Sequence, residues 1–196
     1  PSLRISGTAT FRGQSLGHSG RPSIVAQKTR LLMATVRENL VNDLAERHRL
    51  SILEQRDLAR DLLFNAGLDS LTEHLDERVA NLALGTQRLL AIIRTAAANP
   101  AMMLVDEPTS GIPHEDVERI IDFLKRESRQ RSVVTVVHNQ GHARALGGDC
   151  MLLAGGTIVE TQPTSRFFTH PEHPLAIDFV RSGSCCAASP SAREHD

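Results

Sequence analysis

Two adjacent carboxylates, Asp106 and Glu107, end a short apolar run, Met102 to Val105, and Pro108 follows them directly. Proline removes a backbone donor, so a strand running through Val105 stops here. Two neighbouring carboxylates at a strand end repel one another unless a cation or a reaction uses them. Phosphoryl transfer uses both: one carboxylate holds Mg²⁺ through water and its neighbour polarises the attacking water. Taken alone, the pair fits equally well a strand that ends in surface acids. Two further residues could join such chemistry. Gln27 follows the short apolar run Ser23-Ile-Val-Ala26, and its amide oxygen can serve Mg²⁺ or a water. His138 closes the β-branched run Ser132 to Val137, where an imidazole can hydrogen-bond a phosphate and orient a water. In isolation Gln27 reads as a plain loop residue and His138 as a satisfied histidine at a strand end.

These residues need elements to position them. The runs 23–26, 102–105 and 132–137 are short, apolar and bounded by breakers, as buried strands of a parallel sheet are. Acids at a strand's carboxyl end then face the crevice where α/β folds bind ligands. Residues 3–13 alternate loosely and predict a short edge strand or hairpin; Ser15 to Pro22 predicts a loop. Helical signals run from Thr35 to about residue 98. Leu53, Leu58, Leu62 and Leu63 mark one helix that Gly67 stops, and Gln87 to Ala98 forms another, with Leu89, Ile92, Ile93 and Ala96 on one face. Val117, Ile120, Ile121 and Leu124 recur at helical spacing. Ala143 to Leu146 predicts a short helix. Gly155-Gly156, flanked by Cys150–Ala154 and Thr157–Glu160, is a hairpin signal. Phe167 to Ser182 is helical with breaks at Pro171 and Pro174, and a small polar tail follows Gly183.

Composition bounds the reading. The 196 residues suffice for one substantial domain, and the net charge of −1 gives no electrostatic case for nucleic acid. Trp and Tyr are absent, which removes stacking platforms for bases. The three cysteines, Cys150, Cys185 and Cys186, lack disulfide or zinc spacing. No run approaches the roughly 20 apolar residues of a membrane span. His114, His142, His170 and His173 lack metal-ligand spacing and are expected at the surface. The chain opens without Met, so the natural N-terminus is expected upstream.

In order, these segments resemble an ATP-binding-cassette (ABC) transporter ATPase domain from beyond its P-loop helix to its end. Val25-Ala-Gln27 resembles the Q-loop, with Thr35-Val-Arg-Glu-Asn-Leu40 matching the segment after it. Ala101 to Gly111 resembles the Walker B stretch, and Thr135-Val-Val-His138-Asn139 resembles the switch loop. The C-terminal half, with His138-Asn139, Ala143-Arg144, Gly155-Gly-Thr-Ile-Val-Glu160 and Phe167-Phe-Thr-His-Pro171, is most similar to the phosphate-importer ATPase subunit, as is Asp76-Glu-Arg78.

The resemblance implies an α/β fold: a P-loop NTPase-like cassette core with an N-terminal antiparallel β element and a helical subdomain inserted at about 36–98. It implies one partial cassette domain over 1–183 and a disordered tail over 184–196. It implies ATP and Mg²⁺ as cofactors, with Asp106 and Gln27 at the metal, Glu107 and His138 catalytic, and Gln27, Gly85 and Ser110 at the nucleotide. Implied partners are a second cassette, identical or different, and transmembrane permease subunits, and not nucleic acid. The implied location is the cytoplasmic face of the cell membrane, held there through the permease.

Three departures from the family pattern matter. The 196 residues contain no G-x-x-x-x-G-K-S/T cradle for phosphates. The family's Leu-Ser-Gly-Gly-Gln signature is replaced by Leu82-Ala-Leu-Gly-Thr86, which puts a leucine side chain where backbone must approach a phosphate. The family's Ser-Ala-Leu-Asp loop is replaced by Ser110-Gly-Ile-Pro113. Two readings therefore stand: an importer ATPase coupling hydrolysis to transport of phosphate or another small solute, or a degenerate, inactive cassette serving as a structural or regulatory partner.

Overall fold

The computed structural model describes residues 7–8, 10–11, 13–15, 22–27 and 35–184. The expected loop at Ser15 to Pro22 lies largely outside the described residues, as does the tail beyond Ser184. The chain divides into two compact units between Val136 and Val137.

The first unit opens with a minimal antiparallel hairpin, β1 (Thr10–Phe11) and β2 (Gln14–Ser15), turned at Gly13 with φ 76°. Next comes β3 (Ser23–Val25). The helical block follows: α1 (Val36–Val41), α2 (Ile52–Asn65) and α3 (Leu84–Ala97). Then come β4 (Met102–Asp106), α4 (His114–Glu127) and β5 (Ser132–Val136). The three later strands form one parallel sheet in the order β3-β4-β5, with Val25 beside Val105 and Val105 beside Thr135. This register places the ends of β3 and β4 side by side, so Gln27 and Glu107 leave the sheet at the same edge.

Capping boxes start α1 and α2. Thr35 accepts from the Glu38 amide while Glu38 accepts from the Thr35 amide, and Ser51 and Glu54 repeat the pattern. Each box satisfies two orphan amides. The Ser51 hydroxyl, and then its amide, hold the Glu54 carboxyl below its usual range. α1 packs against both α2 and α3.

The inward stripe of α2 differs from the one its leucines predict. Leu53 is 73% exposed, while Gln55, Ala59 and Leu63 are buried. Gln55 tolerates burial because its amide donates to the Leu50 carbonyl at 3.1 Å and its oxygen accepts from Arg37 at 3.1 Å.

α3 is the central helix. Leu89 to Ile93 are all buried in one unbroken run, and α3 packs on β3, β4 and α4. It starts three residues before the expected Gln87, at Leu84. Asn99, with φ 50°, and Pro100 end it as expected. On α4, Val117, Ile120, Ile121, Phe123 and Leu124 turn inward. At about 1.5–3 kcal/mol per fully buried side chain, this stripe is a major contribution to the first unit.

The second unit holds α5 (Gln140–Leu146), the hairpin β6 (Asp149–Ala154) and β7 (Thr157–Pro163), α6 (Thr164–Phe167) and α7 (Pro174–Ser182). Gly155 and Gly156, with φ 58° and 81°, make the tight turn that the sequence predicts. Leu152, Phe167, Phe168 and Ala176 form its core, with the two phenylalanine rings edge to face at 5.1 Å. Glu160 is a buried carboxylate satisfied by the Glu172 and His173 amides, the latter at 2.7 Å, and by the Gln162 amide at 2.7 Å. His173, expected at the surface, is half-buried and caps α7 by accepting from the Leu175 amide.

Burial, and then the Glu160 carboxylate, push the Cys150 thiol above its usual range. A raised folded-state value keeps the thiol protonated. Its stabilising contribution is complete below the unfolded thiol's value and is lost as pH rises through the folded one. In a Cys185→Ser/Cys186→Ser background, Cys150 should react with a disulfide reagent at pH 8 at least about tenfold more slowly than after unfolding in urea. Equal rates before and after unfolding would refute the shielding.

Candidate phosphoryl-transfer site

Glu107 is the first residue after β4 and adopts the left-handed conformation, with φ 45°. A non-glycine residue there carries a backbone cost, tolerated where neighbours over-determine it. Three contacts do so. The Glu107 amide donates to the Val136 carbonyl at 2.9 Å, which ties the turn to β5. The Ser110 amide donates back to the Glu107 carbonyl at 3.3 Å, which closes the turn. The Gln27 side-chain amide donates to Glu107 Oε2 at 3.0 Å across a separation of 80 residues.

Gln27 and Glu107 are therefore brought together as a pair, with Asp106 exposed at the end of β4 beside them. Pro108 and Thr109 are buried, whereas Ser110 is exposed. His138 belongs to the second unit, where it is exposed and precedes Asn139, the N-cap of α5.

The set suits a hard divalent cation: a carboxylate, and an amide whose nitrogen, not its oxygen, is engaged by Glu107. Among the described residues no cluster of three or more His, Cys, Asp or Glu forms a self-contained metal site. An ion here needs further oxygens from water and from a phosphate, as Mg²⁺ sites at nucleotides do.

The segment Leu82-Ala-Leu-Gly-Thr86 leads into the start of α3. Its N-cap, Ala83, supplies no side-chain bond to the first turn, and Leu84 is 51% exposed. Gly85 is buried against the first turn of α4. A Cβ on Gly85 would lie 2.2–2.4 Å from the Oδ2, Cγ and Cβ atoms of Asp116. The glycine is thus required by close packing. Gly85→Ala should lower thermal stability by about 1–2 kcal/mol even though alanine is the better helix former. Thermal unfolding checks this, and Asp116→Ala in the same chain should restore most of the loss. An unchanged Tm for Gly85→Ala would show that Asp116 swings aside freely.

Sequence reasoning misses Arg88. This half-buried residue in the second turn of α3 donates through one terminal nitrogen to the Pro108 carbonyl at 3.4 Å and to the Ser110 carbonyl.

The sequence profile of the ABC transporter family matches residues 2–110. The chain belongs to the ABC transporter family. Among curated relatives, the phosphate import ATP-binding protein PstB 2 of Mycobacterium tuberculosis is 28% identical over 185 residues, covering 90% of this chain and 67% of the relative. The glutamate transport ATP-binding protein GluA of Corynebacterium glutamicum is 32% identical over 147 residues, covering 74% of this chain and 60% of the relative. Among solved structures, the dimeric post-hydrolysis state of the ATP-binding cassette MJ0796 bound to ADP and Pi superposes with a TM-score of 0.61 at 29% identity, covering 73% of this chain and 63% of that one. The chain thus spans about two thirds of the length of these relatives. The parallel sheet with its helices agrees with the cassette ATPase fold that the sequence implies. Among the described residues, no helix is long and apolar enough to cross a membrane.

Proposed function

We propose that this chain belongs to the ATP-binding and ATP-hydrolysing subunit of an importer, with phosphate the leading solute. The hydrogen bond from Gln27 to Glu107, beside Asp106, is the observation that carries the reading. It joins the strand end that leads into the helical block to the carboxylate that this reading assigns to act on water.

In this reading Asp106 and Gln27 would hold Mg²⁺, which would supply charge neutralisation at the reacting phosphate. Glu107 takes up a proton from the attacking water through its carboxylate. Ser110 and Gly85 contact nucleotide across a cassette dimer. His138 keeps the γ-phosphate-sensing role that its place in the switch-like motif implies. Residues 36–98 act as the helical subdomain of one cassette domain over 1–183, which docks on permease subunits at the cytoplasmic face of the membrane. The similarity to PstB 2 over 90% of the chain favours phosphate, and the similarity to GluA keeps amino acids as the competing solute class.

A second reading has its own support. Ala83 and Leu84 depart from the Leu-Ser-Gly-Gly-Gln pattern, and Ser110-Gly-Ile-Pro113 departs from Ser-Ala-Leu-Asp. A degenerate cassette completing a dimer with an intact partner fits these departures. The natural full-length polypeptide, alone and with its permease, decides between them. Mg-ATP binding with turnover is expected; absence of both, in both preparations, overturns the ATPase reading in favour of the partner role.

A further inference from the structure

We infer that Arg88 is a positioning residue for the Glu107 turn, linking the start of α3 to the carboxylate that the preceding reading makes the water activator. The inference rests on that reading for its catalytic consequence, and on geometry alone for its structural one.

At least three elements hold the turn from Glu107 to Ser110. β5 holds it through the Val136 carbonyl, β3 holds it through Gln27, and α3 holds it through Arg88. The first two contacts fall on Glu107 itself. The Arg88 contacts fall beyond Glu107, at the Pro108 and Ser110 carbonyls. A guanidinium suits the task, because one terminal nitrogen carries two hydrogens and can serve two carbonyls that lie two residues apart.

The chemistry of Arg88 makes this a dedicated contact. Among the described residues it forms no ion pair, unlike Arg94, which meets Asp43, and Arg131, which meets Glu127. A half-buried cation spent on carbonyls is satisfied only while the turn keeps its shape. Its stem stands one helical turn beyond Gly85 on the same helix. A tilt of the first turns of α3 therefore moves the donor, and with it the carbonyls that follow Glu107. Glu107 stands in a costly backbone conformation, so loosening the far end of its turn offers the carboxylate other orientations.

The test uses the full-length polypeptide with Arg88→Met, which keeps the aliphatic stem, and Arg88→Lys, which keeps a charge but not the fork. Hydrogen exchange is read on peptides covering 107–112 and 89–97, together with kcat and KM for Mg-ATP. For Arg88→Met, amides at 109–112 should exchange about tenfold faster while those at 89–97 stay unchanged. Turnover should fall about tenfold with KM for Mg-ATP within about twofold, and Arg88→Lys should recover part of both. Unchanged exchange at 109–112 overturns the inference, as does equal acceleration across α3, which would mark a general packing role. If the unmodified protein does not hydrolyse ATP, the ATPase reading fails on its own. Faster exchange at 109–112 alone would then still establish the clamp, and unchanged exchange would refute it.

Discussion

Replacing Glu107 with Gln in the full-length polypeptide should lower ATP turnover by about 10²–10⁴-fold, the span associated with losing a general base. Nucleotide binding should survive. Glutamine matches glutamate in volume, and its remaining oxygen can still accept from the Gln27 amide, which reaches Glu107 Oε2 at 3.0 Å in the unmodified chain. The backbone bonds of the turn use the Glu107 amide and carbonyl, so they do not depend on side-chain charge. What disappears is the charge to which the proposed function assigns the drawing of a proton from water. Loss of that charge also removes repulsion with Asp106 next to it, so Mg-ATP affinity should hold or rise. Asp106→Asn should behave differently, losing Mg²⁺-dependent binding before any catalytic step. Steady-state turnover beside equilibrium nucleotide binding separates the two variants. Turnover unchanged in Glu107→Gln would remove Glu107 from the water-activating role.

The carboxylate pair is legible in the sequence because its signals are local. An apolar run, two acids and a proline follow one another within 102–108, and the parallel register then sets Val25 beside Val105. The Gly155-Gly156 turn is legible for the same reason, since only a left-handed pair closes it cheaply. The capping boxes at Thr35 and Ser51 are equally readable as Ser/Thr-x-x-Glu, a signal worth using to set the starts of α1 and α2.

The rest depends on contacts distant in sequence. Leucine spacing alone draws the stripe of α2 through Leu53. The true stripe runs through Gln55, whose burial depends on Arg37 and the Leu50 carbonyl. Arg88 carries no local signal, because its partners stand 20 and 22 residues away. Gly85 reads in the sequence as the remnant of a phosphate-binding motif, yet the structure gives it a packing reason, the Asp116 side chain that fills the space of a Cβ. Packing alone accounts for the glycine, beside differences from the family pattern at residues 83, 84 and 86. It is therefore weak support for phosphate contact by that helix.

The start of α3 supplies the sharpest division between a working and a degenerate cassette. Ala83→Ser, Leu84→Gly and Thr86→Gln made together should raise ATP turnover of the full-length dimer by about 10²–10³-fold, the scale of one restored donor at a charged transition state. Two of the changes have stability consequences that can be set apart. Ala83→Ser would supply the side-chain cap that α3 lacks, a gain of about 0.5–2 kcal/mol. Leu84→Gly would cost up to about 1 kcal/mol of helix propensity, and it would remove an exposed leucine, which is close to neutral. The sum leaves Tm nearly unchanged, so a rise in turnover at constant Tm must come from the nucleotide contact. Ala83→Ser alone serves as the control for stability, raising Tm slightly. If the triple variant keeps both Tm and turnover unchanged, the start of α3 faces no nucleotide, and the departures at residues 83, 84 and 86 mark a chain that completes a dimer without completing its neighbour's site.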